Sequence, residues 1–256
     1  MPQVKFVILS QPRTGSTLLC SLLSSAPGVR ALCEPINPRT HNHHMKPILG
    51  SNCLVPEDFV QNNLLYVLDT LFSGDLPPSD WILSKKRGDV AAGFKIMAHQ
   101  IQGLKNEDLF WEYLASNNIK VIICFRYNIL MQYVSDIITT VTRQPACWNG
   151  DVKTTKVEID ITKLEFELKK IVKQKEYLLS NVDKYGLDKR RIKYEDFKNS
   201  TESVEKLFYW LVGENKKLST RLIKQNPDNL IDRVTNYEEL VTEVRRLGYE
   251  RLLEMT

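Results

Sequence analysis

The feature that most limits what this chain can fold into is an alternation. Short strand-length runs at 4–10 (VKFVILS), 29–33 (VRALC), 92–97 (AGFKIM), 119–125 (IKVIICF) and 190–194 (RRIKY) are separated by segments whose apolar residues recur at helical spacing. In 16–25, Leu18, Leu19, Leu22 and Leu23 share one face before Pro27 and Gly28 end the pattern. Segments 57–72, 107–117, 128–143, 162–182, 201–212 and 236–247 repeat it, and Thr162 and Glu165 stand at capping-box spacing at the head of theirs. Strands alternating with helices predict a three-layer α/β/α fold around a central parallel sheet. Ligands of such sheets bind at the carboxyl ends of the strands. That edge should gather the turn at 12–17, Glu34, His99 and Arg126.

The chain has 256 residues, 43% of them hydrophobic, with no repeat, low-complexity tract or Gly/Ser linker, so one domain over 1–256 is expected. The net charge of +4 suits an anionic ligand without demanding one. The aromatic-interleaved basic stripe of a nucleic-acid binder is missing. The five cysteines form no C-x-x-C pair and read as buried thiols in a reducing compartment. The first apolar run is too short for a signal sequence, and no stretch nears the roughly 18 apolar residues of a membrane span. A soluble, cytoplasmic protein with no membrane partner is expected, and a homodimer is compatible with the sequence.

The most informative stretch is ILSQPRTGSTLLCSLL, residues 8–23. A strand, a short turn containing glycine, and a helix start make an anion site. The first N–H groups of the helix point at the ligand and the helix dipole adds positive potential. Gly15 lets the backbone approach the ligand, Ser16 and Thr17 offer hydroxyls as caps or donors, and Arg13 offers a planar fork suited to phosphate or sulfate. In a Walker A loop the first glycine would fall at Ser10 and the lysine at Ser16. Both are absent, which disfavours a triphosphate-hydrolysing enzyme or kinase. A plain strand–turn–helix with a serine cap is the bland alternative.

The loop PRTGST followed by LL resembles the 5′-phosphosulfate loop of sulfotransferases that use 3′-phosphoadenosine 5′-phosphosulfate (PAPS). With Arg and a following LLC it is most similar to bacterial carbohydrate sulfotransferases of the nodulation-factor and trehalose type; cytosolic animal enzymes usually carry Lys at that place. The resemblance implies that Pro12, Arg13, Thr14, Gly15, Ser16 and Thr17 hold the 5′-phosphate and bridging oxygen of the donor. A second motif, CFRYNILMQYVS, places Arg126 at a strand end and Ser135 nine residues on, in the next helix. This pair resembles the family's 3′-phosphate clamp, which many members space by eight residues. A second phosphate site separates PAPS from ADP or ATP.

Sulfuryl transfer is in-line, so the protein supplies positioning, stabilisation of the leaving oxygen and one base, with no obligatory metal. Two residues are candidate bases. Glu34, in RALCEP, resembles the glutamate of trehalose-type members; His99, read as ending the strand in GFKIMAHQ, resembles the histidine of cytosolic members, with Lys95 as the lysine before it. Glu34 is the closer match. The bland readings are a surface carboxylate, a satisfied core histidine and a solvated lysine. Lys224, in a C-terminal stretch similar to the bacterial branch, stands where cytosolic members use an Arg-Lys-Gly signature that this chain lacks. Tyr194 and Phe197 are expected to pack while nearby carboxylates cap. Trp148 is a candidate pocket wall, Arg143 a helix-end residue, and His41, His43 and His44 a loop rather than a metal site.

The expectation is a P-loop-like α/β enzyme that moves a sulfuryl group from PAPS to a hydroxyl or amine of a small-molecule or carbohydrate acceptor, releasing 3′,5′-ADP (PAP). A P-loop small-molecule kinase and a non-catalytic nucleotide-binding protein are the alternatives. The acceptor walls are expected in 35–60, 78–90 and 144–157.

Overall fold

The structure is a computed structural model that describes residues 3–36, 57–73, 90–147 and 150–254. Its frame is a parallel sheet of β1 (Val4–Ser10), β2 (Val29–Cys33), β3 (Ala91–Met97), β4 (Lys120–Phe125) and β5 (Lys189–Lys193), in the order β2-β3-β1-β4-β5. All five strand-length runs therefore became strands. Because side chains alternate across a strand, each run feeds both faces. Val7, Leu9, Phe94, Ile96, Val121 and Ile123 enter one core; Phe6, Ile8, Ile122 and Cys124 enter the other.

Helices cover both faces, giving the three layers expected. Against the second core lie α1 (Ser16–Ser24) and, through its buried face, the helix Glu202–Val212. The opposite face carries α2 (Glu57–Asn62), α3 (Leu64–Ser73), α4 (Ala98–Gln102) and α5 (Glu107–Ser116). After β4 come α6 (Ile129–Thr142) and α7 (Ile161–Lys184), followed, past β5, by α8 (Glu202–Val212) and α9 (Tyr237–Arg246). The amino-terminal half of α7 packs with α6 and α9 in a third cluster built on Leu130, Val134, Leu164, Leu168, Leu240 and Val244. No helix among the described residues is long and apolar enough to cross a membrane.

Three local expectations are corrected. The segment 57–72 is two helices, because the chain bends at Asn63, whose carbonyl accepts the Val67 N–H at 3.0 Å and opens the second one; asparagine favours helix starts over helix interiors. Helix α7 begins one residue before Thr162. Its cap is Asp160, whose carboxylate accepts from Thr162 N at 3.1 Å and from the Thr162 hydroxyl at 2.5 Å, so Thr162 is a donor to the cap and not the cap itself. Glu165 turns instead to Lys169, 2.5 Å away. Finally, β3 ends at Met97, and His99 sits in α4 rather than on a strand.

Trp111 anchors the core on the α5 face. It is fully buried, and its ring lies against Phe110, Tyr177 and Tyr185 at centroid separations of 5.2, 6.2 and 6.2 Å. Truncating a buried tryptophan costs about 3–5 kcal/mol. Trp111→Ala is expected to lose that much unfolding free energy in urea titrations; a loss below about 1 kcal/mol would contradict this packing.

Candidate functional site

Parallel strands end on the same edge, so the fold brings 12–17, Glu34, Met97 and Arg126 to one side of the sheet together with Tyr194 after β5. The loop after β1 is held from several directions. Gln132 donates to the Pro12 carbonyl at 2.9 Å, the Thr14 hydroxyl donates to the Gln11 carbonyl at 3.0 Å, and the Cys124 thiol donates to the Thr14 carbonyl at 3.3 Å. Arg13 and Gly15 both have positive φ, 62° and 78°. Gly15 is required twice over: a Cβ there would also fall 2.3 Å from Cδ2 of Tyr194.

Gly15 is itself the residue before α1, and no side chain caps that helix. Ser16 and Thr17 thus lie within the helix, and neither is its cap. The uncapped first turn leaves backbone N–H groups and the positive end of the dipole facing the loop. Thr17 Oγ1 is engaged from below, accepting from Lys95 Nζ at 3.0 Å.

Lys95 is not the solvated strand residue of the bland reading. It is 1% exposed, faces α1, and forms an ion pair with Glu34 at 2.7 Å. Glu34 also accepts from the Gln100 amide at 3.2 Å, and Gln100 is fixed in turn by the Met97 N–H at 2.9 Å. Glu34 has positive φ, 51°, on a non-glycine residue. Burial pulls the Lys95 ammonium down, but Glu34 and the Cys33 and Cys20 thiols outweigh it, leaving its pKa above the ordinary lysine value. A lysine raised on folding adds stability that is complete below its unfolded pKa and is lost as pH rises through its folded one. His99 is exposed on α4, near enough to Asp136 to lower its carboxyl pKa against the upward push of burial.

The second group is a cluster of guanidinium groups. Arg13 Nε donates to Ser135 Oγ at 3.1 Å and its Nη1 to the Pro145 carbonyl at 2.8 Å, while Asn226 also donates to Ser135 at 3.1 Å. Arg126 stacks over Tyr194, 4.8 Å from its centroid, with Glu195 3.9 Å from Nε. Arg233, 3% exposed, donates to the Pro227 carbonyl. The Nε atoms of Arg126 and Arg233 are buried and have no hydrogen-bond partner. Burial lowers all three arginine pKa values, and mutual repulsion adds to it: Arg126 lowers both Arg13 and Arg233, the latter to about 10. Arg126, Arg233, Lys198 and Lys224 surround a small cavity of about 20 Å³, with Asp228 bonded to Lys224.

Sequence reasoning placed Arg13 and Ser135 at opposite phosphates; the structure puts them in contact. It did not find Arg233, Asn226 or Gln100. Arg233 is positioned by a bridge between Val157 and Val234, with Val157 N donating to the Arg233 carbonyl at 2.9 Å. The signal was a lone arginine in the apolar run LIDRV. Tyr194 and Phe197 do pack, 5.8 Å apart, and Glu195 accepts from Tyr127 N and Asn128 N at 3.0 and 3.3 Å, ahead of α6. Arg143 is an exposed helix end. His41, His43, His44, Trp148 and most of the expected acceptor walls lie outside the described residues. No protein-family model matches the chain, and no curated protein matches it.

Removing one partner of a buried ion pair strands the other charge, at a cost of about 3–5 kcal/mol. Glu34→Gln should destabilise the fold at neutral pH toward the low end of that range, since Glu34 is 17% exposed. Adding Lys95→Met should recover most of the loss in the same urea titration. A double variant as unstable as the single one would contradict the pairing.

Proposed function

We propose that the protein is a PAPS-dependent sulfotransferase acting on a hydroxyl or amine of a small-molecule or carbohydrate acceptor. The observation that carries the reading is the pair of buried arginines, Arg126 and Arg233, whose Nε atoms make no hydrogen bond, beside Arg13 and Ser135 and next to the uncapped start of α1; the Glu195 carboxylate stands 3.9 Å from Arg126 Nε. Like charges buried together with free donors are costly unless an anion completes them. A loop suited to one phosphate and a guanidinium cluster suited to a second match a nucleotide phosphorylated at both ends of its ribose. The resemblance of 12–17 and of Arg126 with Ser135 to PAPS enzymes supports the same donor.

In this reading the loop N–H groups, Ser16 and Thr17 hold the 5′-phosphate, and Arg126, Arg233 and Ser135 hold the 3′-phosphate, with Arg13 joining the two. Lys224 lies at the cluster's edge. Bound PAPS supplies the activated sulfuryl group. Lys95, buried under Thr17, places positive charge near the oxygen on which the leaving phosphate gains negative charge. Glu34 is the proposed base, its oxygens set by Lys95 and Gln100; His99 is the alternative. Ser16 in the place of a Walker lysine weighs against a kinase.

Thermal melting distinguishes the readings. A ligand at about 100 times its Kd stabilises by about 2.7 kcal/mol. Without metal, 3′,5′-ADP is expected to raise Tm well beyond 5′-ADP, and equal shifts would sink the 3′-phosphate site. With labelled PAPS and an acceptor panel, Glu34→Gln should lose transfer while keeping the 3′,5′-ADP shift. Full activity in that variant would move the base to His99.

A further inference from the structure

Cys20, on α1, and Cys33, the last residue of β2, come from helix and strand elements that pack together. Their thiols are near enough for each to shift the other's ionisation. Both line a cavity of about 380 Å³ whose other walls include Ser21, Ser24, Thr220 and Arg221. Ser24, Thr220 and Arg221 are exposed, so the cavity opens to solvent and Cys33 is partly exposed at its floor. The reading of these cysteines as buried thiols fails at Cys33, which is partly exposed.

We propose that Cys33 and Cys20 are a peroxide-reactive thiol pair that closes to a reversible disulfide, with Cys33 the attacking sulfur and Cys20 the resolving one. Cys20, Lys95 and Glu34 act on Cys33, and the charged Arg221 lines the same cavity. The neighbouring Cys20 thiol lowers the Cys33 pKa against burial, and the Lys95 ammonium lowers it further while Glu34 opposes. The Cys33 sulfur, with burial, pushes the Cys20 thiol up, so Cys20 keeps its proton. Thiolate character and access together make a sulfur oxidisable. Cys124 is the other thiol near Cys20, but it is committed to the Thr14 carbonyl and burial pushes it up to about 12.

The Cys33 thiolate attacks one peroxide oxygen; the S–O bond forms, the O–O bond breaks, and the other oxygen leaves as water after taking a proton. The Cys20 sulfur then attacks the Cys33 sulfenic acid. The S–S bond forms, the S–O bond breaks, and hydroxide leaves with the Cys20 proton as a second water. Two thiols are oxidised and one peroxide is reduced; a dithiol reductant restores them. None of this depends on what the loop at 12–17 binds.

The test uses the full chain with Cys53→Ser, treated with hydrogen peroxide, blocked with an alkylating agent and digested with trypsin. Peptides 14–30 and 31–39 are expected to appear joined, and separate after dithiothreitol. In Cys20→Ser, Cys33 should stop at the sulfenic acid and form an adduct with a 1,3-dione. In Lys95→Met, the alkylation rate of Cys33 should rise with pH at a higher inflection than in the parent. Two results would each overturn the pairing: peptides 14–30 and 31–39 recovered only as separate alkylated thiols, or Cys33 joined to another cysteine instead.

Discussion

The contact on which the rest of the edge depends is the Tyr194 ring. One part of it lies where a side chain at Gly15 would stand, and Arg126 stacks on it. A single aromatic group, delivered by β5, thus sets how closely the β1 loop approaches and where the β4 arginine points. Phe197, 2% exposed, backs the ring from below. The left-handed backbone at Gly15 then lets α1 begin with no side chain over its first N–H groups. Packing on this ring, together with the hydrogen bonds from Gln132 to Pro12 and from Arg13 to Ser135, fixes the relative position of the two anion-attracting features.

Electrostatics divides the edge into two regions with opposite solutions to burial. Lys95 is neutralised within the chain by Glu34. Arg126 is paired only loosely, with Glu195 3.9 Å from its Nε while that carboxylate also accepts from the start of α6; Asp228, near Arg233, is bonded to Lys224, and the guanidinium groups repel each other. On the proposed reading, the under-compensated arginines are the ones left to receive negative charge from a ligand.

Much of the fold was legible because strand-length runs and helical spacing are local properties. All five runs became strands, and the bounds of the expected helices differ by one or two residues except where Asn63 divides 57–72; the short helix α4 after β3 was not expected. The Asp160 cap was missed because Thr162 also satisfies a cap pattern, and geometry alone decides between them. Of the edge, residues at strand ends were legible, since a parallel sheet must gather them. Arg233 and Asn226 were not, because their approach rests on the long-range bridge between Val157 and Val234. Nor was the contact of Arg13 with Ser135, since direction at a positive-φ residue cannot be read from spacing. Cys20 and Cys33 are thirteen positions apart in sequence and meet only because α1 returns along β2.

The central claim is that Arg126 and Arg233 bind the 3′-phosphate of a nucleotide whose 5′-phosphate sits on the loop. Calorimetric titration of the parent chain and Arg126→Ala with 3′,5′-ADP and with AMP, which lacks only the 3′-phosphate, forms a double cycle. The account predicts a coupling between Arg126 and that phosphate of about 1.5 kcal/mol or more, in the range of close charge pairs. Equal losses for both nucleotides, with coupling near zero, would contradict it.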